Sequence, residues 1–486
     1  MLKTNPNSNT PQIAVIGGGV AGATAAVHMG ELGLNVSLIE KSAGLVDGPP
    51  ICHLHAGGNL YREISEQQCI ELLRQSLQTV RLYPHTLNQR PTVIAIPKAD
   101  PGTPEMVVSR LEVIRQAYQA LVDEDPRNEW LGTPQDYYRV YERAELEALR
   151  DQVQPVVPKT MEDWLIPVVQ NIDLDAIQYP VISVQEYGWS VFRLAASAEL
   201  ALEAMPHCDI QTNTTVIDLA WAGTQWQITT LNSMGETHTQ YADYVINACG
   251  YKTGSIDDMA RHYRDRLVEF KAAYVTHWAD CHQLWPEVIF HGQRGTPQGM
   301  AQLTPYANGI FQLHGMTEGI TLFSDGLVKS GVRSAQPELP EHLQLKLNKG
   351  WSETDQVERT GLAIQHMAQF MPNFNSADIA GKPLFGAQQI PGSDSTLRAA
   401  DVSFEDNQYA RIEIVKGSSA LEAVQKIVSK WQLSAQSTDD IERSHPISMR
   451  LQASDVEARA IKLAEARDYP RELAMVVGEP LTFDHK

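Results

Sequence analysis

Three groups of residues in this 486-residue chain have types and spacings that could do chemistry. The first is Gly17-Gly18-Gly19-Val20-Ala21-Gly22, with Glu40 placed 23 positions after Gly17 (40 − 17). In a G-x-G-x-x-G pattern the first glycine permits a tight turn and the second lets a pyrophosphate approach the backbone. The third lets a helix sit close on a sheet. A helix opening at Val20 and Ala21 would turn unpaired N–H groups and a partial positive charge toward the phosphates. An acid at position 40, here followed by Lys41, can accept hydrogen bonds from a ribose. The second group is His53 and His55 with Gly57 and Gly58, in the loop after that acid, where ligands of such folds gather. The third is Arg294, in His291-Gly292-Gln293-Arg294-Gly295, and His314, in Phe311-Gln312-Leu313-His314-Gly315. Histidine is matched to proton transfer near neutral pH, and arginine to gripping a carboxylate. Plainer readings stay open for each. His53, His55 and His314 can be histidines satisfied by ordinary hydrogen bonds, and Arg294 a solvated turn residue; Arg333 and Arg411 rank below it as clamps.

These residues need elements to position them. Ile13-Ala14-Val15-Ile16 is a short apolar run bounded by glycines, as a strand buried on both faces reads. A small-residue helix over 20–32, stopped by Gly33, and a strand over 35–39 complete a dinucleotide-binding unit. Residues 65–83 read as a helix with Ile70, Leu73, Leu77 and Val80 on one face, and Ser65 with Gln68 resembles a capping box. A strand at 92–97, a helix at 106–121 and a short helix at 143–150 follow, then an irregular Pro-rich passage to about 170. That region reads as an insertion. Strands are expected at 181–184, 208–210 and 215–219, with a helix at 191–204. A hairpin at 226–229 and 238–241 precedes a buried strand at 243–250. Strands at 274–278, 288–291, 300–303 and 310–314 suit one face of an antiparallel sheet. Helices from 343 and over 352–370 follow, then a strand at 408–415. Lys416-Gly417-Ser418-Ser419 leads into a helix at 420–428. The tail is polar, with one helical stretch at 453–467 and no assigned role.

Composition narrows the function class. Hydrophobic residues at 43% and charged residues at 20% suit a globular protein with a large core. The formal net charge of −20 disfavours a nucleic-acid partner. Five cysteines without a C-x-x-C pair read as reduced thiols of a cytoplasmic protein. The polar N-terminus lacks the apolar core of a signal peptide, and no apolar run is long enough to span a bilayer. His277, Cys281 and His282 have ligand-like spacing but no second cluster, so no metal is expected.

The glycine turn with its acid, the later Asn247-Ala248-Cys249-Gly250 and the strand–Gly–helix around Gly417 together resemble the FAD-dependent oxidoreductases of the D-amino-acid oxidase superfamily. The likeness runs from about residue 11 to 428. The loop 55–61 is loosely similar to malate:quinone oxidoreductases, and Cys249 stands where the family pattern has alanine. The resemblance implies an α/β fold in which a Rossmann-like FAD-binding domain (1–84, 181–258 and 382–432) interleaves with an antiparallel-sheet α+β substrate domain (85–180 and 259–381), followed by a tail (433–486). It implies FAD held by Gly17, Gly19, Val20, Ala21, Gly22, Glu40, Lys41, His55, Gly57, Gly58, Val216, Ala248, Gly250, Gly417 and Ser418, with His314, Arg294 and His55 as catalytic candidates. The implied reaction is oxidation of a C–H bond beside a hydroxyl or amine of a small, carboxylate-bearing substrate by hydride transfer to flavin N5. Oxygen or a quinone would take the electrons, in the cytoplasm or at a membrane surface without a spanning segment. A flavin-binding protein with a non-redox or RNA-modifying role is the alternative.

Overall fold

The computed structural model describes residues 10–47, 64–400, 402–435 and 440–477, together with the backbone of the short strand Leu54–Ala56. Gln12–Ile16 lies at the centre of a sheet, parallel to Asn35–Ile39 on one side and to Tyr244–Asn247 on the other. Among the described residues this sheet has six strands. Their order is Val402–Glu405, Tyr409–Ile412, Tyr244–Asn247, Gln12–Ile16, Asn35–Ile39 and Cys208–Gln211. Only the outermost strand, Val402–Glu405, runs antiparallel to its neighbour. Ile13 and Val15 face helices Val20–Glu31, Val191–Glu203 and Ala420–Lys430, while Ala14 and Ile16 face a three-stranded meander, Thr214–Trp221, Trp226–Asn232 and Thr237–Ala242. Burial on both faces is why the central strand is uniformly apolar.

A second, mostly antiparallel sheet is built around the long strand Arg266–His277. It continues through Ile310–Gly315, Ala301–Pro305, Glu287–Phe290, Thr92–Ala95, Val181–Val184 and Tyr138–Tyr141. The protein is thus an α/β fold with a Rossmann-like unit interleaved with an antiparallel-sheet unit. Strands 266–277 and 384–391 pair over eight residues, from Arg266 with Pro391 to Ala273 with Leu384.

A buried cluster of charges joins the two sheets. Asp257 is fully buried, and its Oδ1 accepts from Arg411 Nε at 2.7 Å, Tyr409 Oη at 2.8 Å and Asn247 Nδ2 at 3.3 Å. Its Oδ2 accepts from the guanidinium of Arg266, which opens the long strand. Arg266 also approaches Glu413 at 3.5 Å, so two buried arginines meet two buried carboxylates.

Several sequence expectations need correction. The passage before residue 170 contains a helix, Met161–Asn171, despite Pro167. A capping box between Thr160 and Asp163 starts it, and burial of Trp164, Leu165, Val168 and Val169 outweighs the lost backbone bond. The strand expected at 274–278 begins eight residues earlier, at Arg266. Strands Leu384–Pro391, Tyr138–Tyr141 and Val402–Glu405 were not anticipated, because pairing rather than local pattern makes them strands. The tail is no loose appendage: helix Ala453–Ala466 buries Val456, Ala460 and Ala464 against Phe192, Ala196 and the long strand.

The tail also supplies half of a buried histidine pair. His445 Nδ1 lies 2.7 Å from the Ile441 carbonyl and donates to it, so its Nε2 accepts from His28 Nδ1 at 2.8 Å. Burial holds both imidazoles below the ordinary 6.5, with mutual repulsion adding to the effect on His28. Their unfolded counterparts take up protons as pH falls through that value while the folded ones stay neutral, so stability declines toward acid. Thermal melts from about pH 8 to about pH 5 should show a falling midpoint, with a shallower fall in His28→Gln. Replacing Asp257 by Asn removes the carboxylate shared by two buried guanidinium groups, leaving Arg411 with Glu405 and Arg266 with Glu413, and should cost about 3–5 kcal/mol in denaturant unfolding. A loss below about 1 kcal/mol would show that the cluster does not join the sheets as described.

Candidate active site

One continuous cavity of about 1300 Å³ runs between the two sheets. That exceeds the roughly 300–1,000 Å³ of a usual small-molecule pocket, leaving room for a dinucleotide and a further small molecule. The glycine turn forms one end. Gly17 has φ +97°, and a Cβ there would lie 2.6 Å from the Ala248 carbonyl oxygen. A Cβ on Gly22 would sit 1.7 Å from the Gly17 carbonyl oxygen, so this glycine lies behind the wall and sets the helix against the turn. Gly19 is different: a Cβ there would meet nothing within 4 Å and would project into open space.

Glu40 lies on the same wall. Its carboxylate accepts from the Gly18 amide at 2.5 Å and the Ser42 amide at 2.7 Å, which fixes it while leaving lone pairs for a further donor. Val20, Ala21, Lys41, Val216, Ala248 and Gly250 line this end. Ala248 is set by a 2.8 Å bond from its amide to the Ile16 carbonyl.

Gly417 and Ser418 border the middle of the cavity just ahead of helix Ala420–Lys430. Thr79 donates to the Ser418 carbonyl at 2.9 Å, and Ser419 to Gln75 at 2.6 Å, pinning this loop to helix Glu66–Leu82. Gly57 and Gly58 lie outside the described residues. So does the side chain of His55, whose backbone pairs with Gly188.

The far end of the cavity holds His314 and Arg294. His314 is 5% exposed, and among the described residues neither ring nitrogen has a hydrogen-bond partner. The residue directly across the ladder is Gln302. Burial pushes the His314 imidazole down to about 3, and the nearby cations Lys271, Lys416 and Arg294 push the same way while Glu287 opposes them. Arg294 pairs with Glu269, which Lys271 also approaches at 2.9 Å. Lys271 donates to Gln388 Oε1 at 3.2 Å, and Gln388 donates in turn to the Val415 carbonyl at 2.5 Å. Two of the three ammonium protons of Lys271 are thereby accounted for, leaving one for the cavity.

Sequence reasoning missed Lys271, Gln302, Gln388 and the tail residues Leu463, Arg467 and Tyr469, all of which line the cavity. Lys271 carried a signal: it interrupts Val268-Glu269-Phe270-Lys271-Ala272-Ala273-Tyr274, a run otherwise suited to a buried strand. The tail residues carried none.

Residues 12–386 match the model of the DAO family, described as FAD dependent oxidoreductase. The chain belongs to this family. Its fold is similar to L-proline dehydrogenase from P. horikoshii, with 14% identity, a TM-score of 0.55 and coverage of 90% of this chain and 98% of that one. Glycine oxidase from Geobacillus kaustophilus gives 13%, 0.54, 88% and 98%. Glycerol-3-phosphate dehydrogenase from Bacillus halodurans, complexed with FAD, gives 12%, 0.55, 96% and 82%. At such identities the likeness speaks for the fold. No curated protein sequence matches the chain. This DAO-family protein is an FAD-dependent oxidoreductase, and among its described residues no helix is long and apolar enough to cross a membrane.

The cavity has the volume for such a cofactor, and Gly19 leaves open space on it that a Cβ would take. Gly19→Ala should therefore cost the fold less than about 1 kcal/mol by melting while weakening FAD binding at least about tenfold by fluorescence titration. Gly22→Ala should impair folding itself. Equal FAD affinity in Gly19→Ala and wild type would remove the glycine turn from the binding surface.

Proposed function

We propose that this oxidoreductase removes hydride from a C–H bond beside a hydroxyl or amine of a small, carboxylate-bearing substrate, and that hydroxy acids are its better substrates. The observation that carries this reading is His314, buried in the cavity wall near Lys271, Arg294 and Lys416, with both ring nitrogens unpartnered among the described residues. A buried polar ring without a partner is costly unless a ligand completes it. When bound, FAD would supply the hydride acceptor, with its adenosine half along Gly17, Gly19, Glu40 and Val216 and its ring end toward Gly417 and Ser418.

The chain's own residues divide the remaining work. Lys271 and Arg294 would hold the substrate carboxylate, although Arg294 must share its guanidinium with Glu269. His314 would accept the hydroxyl proton at the ring nitrogen nearer the substrate. Three neighbouring cations disfavour an incoming ammonium and favour an anion. Carboxylate binding would offset those cations and so raise the His314 pKa from about 3, while burial, the larger cause, would go on holding it down. The apolar side chains of Ile94, Ile289, Met300 and Met316 in the cavity wall would limit the water around the reacting carbon.

Anaerobic bleaching of the flavin by a panel of 2-hydroxy acids and 2-amino acids tests this reading. Reduction should be faster with the hydroxy acids. His314→Asn should slow it by about 10²–10⁴-fold with flavin still bound, and Lys271→Met should mainly raise the substrate concentration required. Undiminished reduction in His314→Asn would remove its role as base. A bound flavin that no metabolite reduces would favour the non-redox alternative, and retention of RNA at moderate salt the RNA-modifying one.

A further inference from the structure

Arg467 caps helix Ala453–Ala466, 81 residues past the end of the family match (467 − 386). Its guanidinium reaches back across the molecule to the turn 42–47. Nη1 donates to the Val46 carbonyl at 2.8 Å, Nη2 donates to the Leu45 carbonyl at 2.7 Å, and Nε lies 3.0 Å from Asp47 Oδ1. One side chain thus grips three successive residues, using the planar fork that distinguishes arginine from lysine. The turn follows Glu40 directly, and Ser42, Ala43, Gly44, Val46 and Asp47 line the cavity.

Val46 makes this grip more than packing. It has φ +51°, a left-handed conformation that is a genuine outlier for a β-branched residue. Such a conformation is strained and persists only where the surroundings over-determine it. Here they do so from two sides. The Val46 amide donates to the Gly18 carbonyl at 2.7 Å, inside the glycine turn, while its own carbonyl is held by Arg467. Leu45, 1% exposed, packs beside Gly18, where even an added Cβ would come within 2.8 Å of it. The strained residue therefore couples the C-terminal helix to the glycine turn.

We propose that Arg467 is a positioning residue: it holds the turn 42–47 in the left-handed conformation that shapes the cavity wall for the adenosine half of FAD. This rests on the placement of that half beside Glu40 and Gly19 given above. Arg467 acts through Val46 and the turn, and takes no part in the redox step.

The test titrates flavin-stripped, full-length protein with ADP-ribose and with FAD by calorimetry. ADP-ribose probes the adenosine half alone. Arg467→Ala should weaken both ligands at least about tenfold, with Arg467→Lys intermediate because an ammonium cannot span two carbonyls and a carboxylate. The decisive variant is Val46→Gly in the Arg467→Ala background. Glycine adopts positive φ without a tether, so the double variant should recover most of the lost affinity. A merely structural role for Arg467 would not be rescued this way. Affinity within twofold of wild type in Arg467→Ala, or a double variant as weak as the single one, overturns the proposal. Should Arg467→Ala not fold, Arg467→Gln with and without Val46→Gly is read by the same criteria. Wild-type protein that binds neither ligand would instead strike the placement of the adenosine half, and the proposal with it.

Discussion

The carboxylate of Asp257 is the constraint on which the architecture turns. It has no exposure to solvent, and four donors from three parts of the chain converge on it. Asn247 and Arg411 come from strands of the parallel sheet, and Arg266 from the start of the long antiparallel strand. Charge in a dry interior is stable only when every partner is in place, so the two sheets are held in a single relation. The same contacts fix Asn247, and with it Ala248 and Gly250 at the edge of the cavity. Correct placement of the cavity edge is a by-product of satisfying one buried acid.

Much of the parallel sheet was legible because its signals are local. Ile13-Ala14-Val15-Ile16 announces a doubly buried strand by its own composition, and Gly17, Gly19 and Gly22 announce a turn by spacing. Helix 66–82 begins where Ser65 accepts from the Gln68 amide, as the capping pattern implied. His314 and Arg294 could be singled out by residue type, although nothing in the sequence could say that His314 is left without a partner. The remainder is written in relations between distant residues. Leu384-Phe385-Gly386-Ala387-Gln388-Gln389-Ile390-Pro391 has a glycine, two amides and a terminal proline, and it is a strand because Arg266–His277 offers eight residues of ladder. Arg467 was invisible for a different reason. Two of its three partners are backbone carbonyls, which leave no mark in a sequence, and the third, Asp47, lies 420 positions away (467 − 47).

The electrostatics of the cavity run against those of the chain. A protein of net charge −20 repels small anions at long range, yet Lys271, Lys416 and Arg294 all act on the buried His314, opposed by Glu287. The exterior field is screened by salt over about 8–10 Å, whereas the interior pairs are screened far less. Overall charge thus argues about partners such as nucleic acid and says little about what the cavity accepts. The imidazole of His314, kept neutral first by burial and then by the same cations, is a group whose state responds to the charge of whatever enters.

The cavity walls run in sequence from Ile16 to Tyr469, and this has a bearing on biosynthesis. A nascent chain presents its glycine turn early, but the guanidinium that steadies the neighbouring turn is made 450 residues later (467 − 17). At about 5–20 residues per second, translation separates the two by roughly 20–90 s. Through that interval the walls of the cavity are themselves still being made, and the turn beside Glu40 waits for its strap until all but the last of them are present. A chain cut short before Arg467 would keep the glycine turn and lose the group that holds Leu45, Val46 and Asp47 beside it.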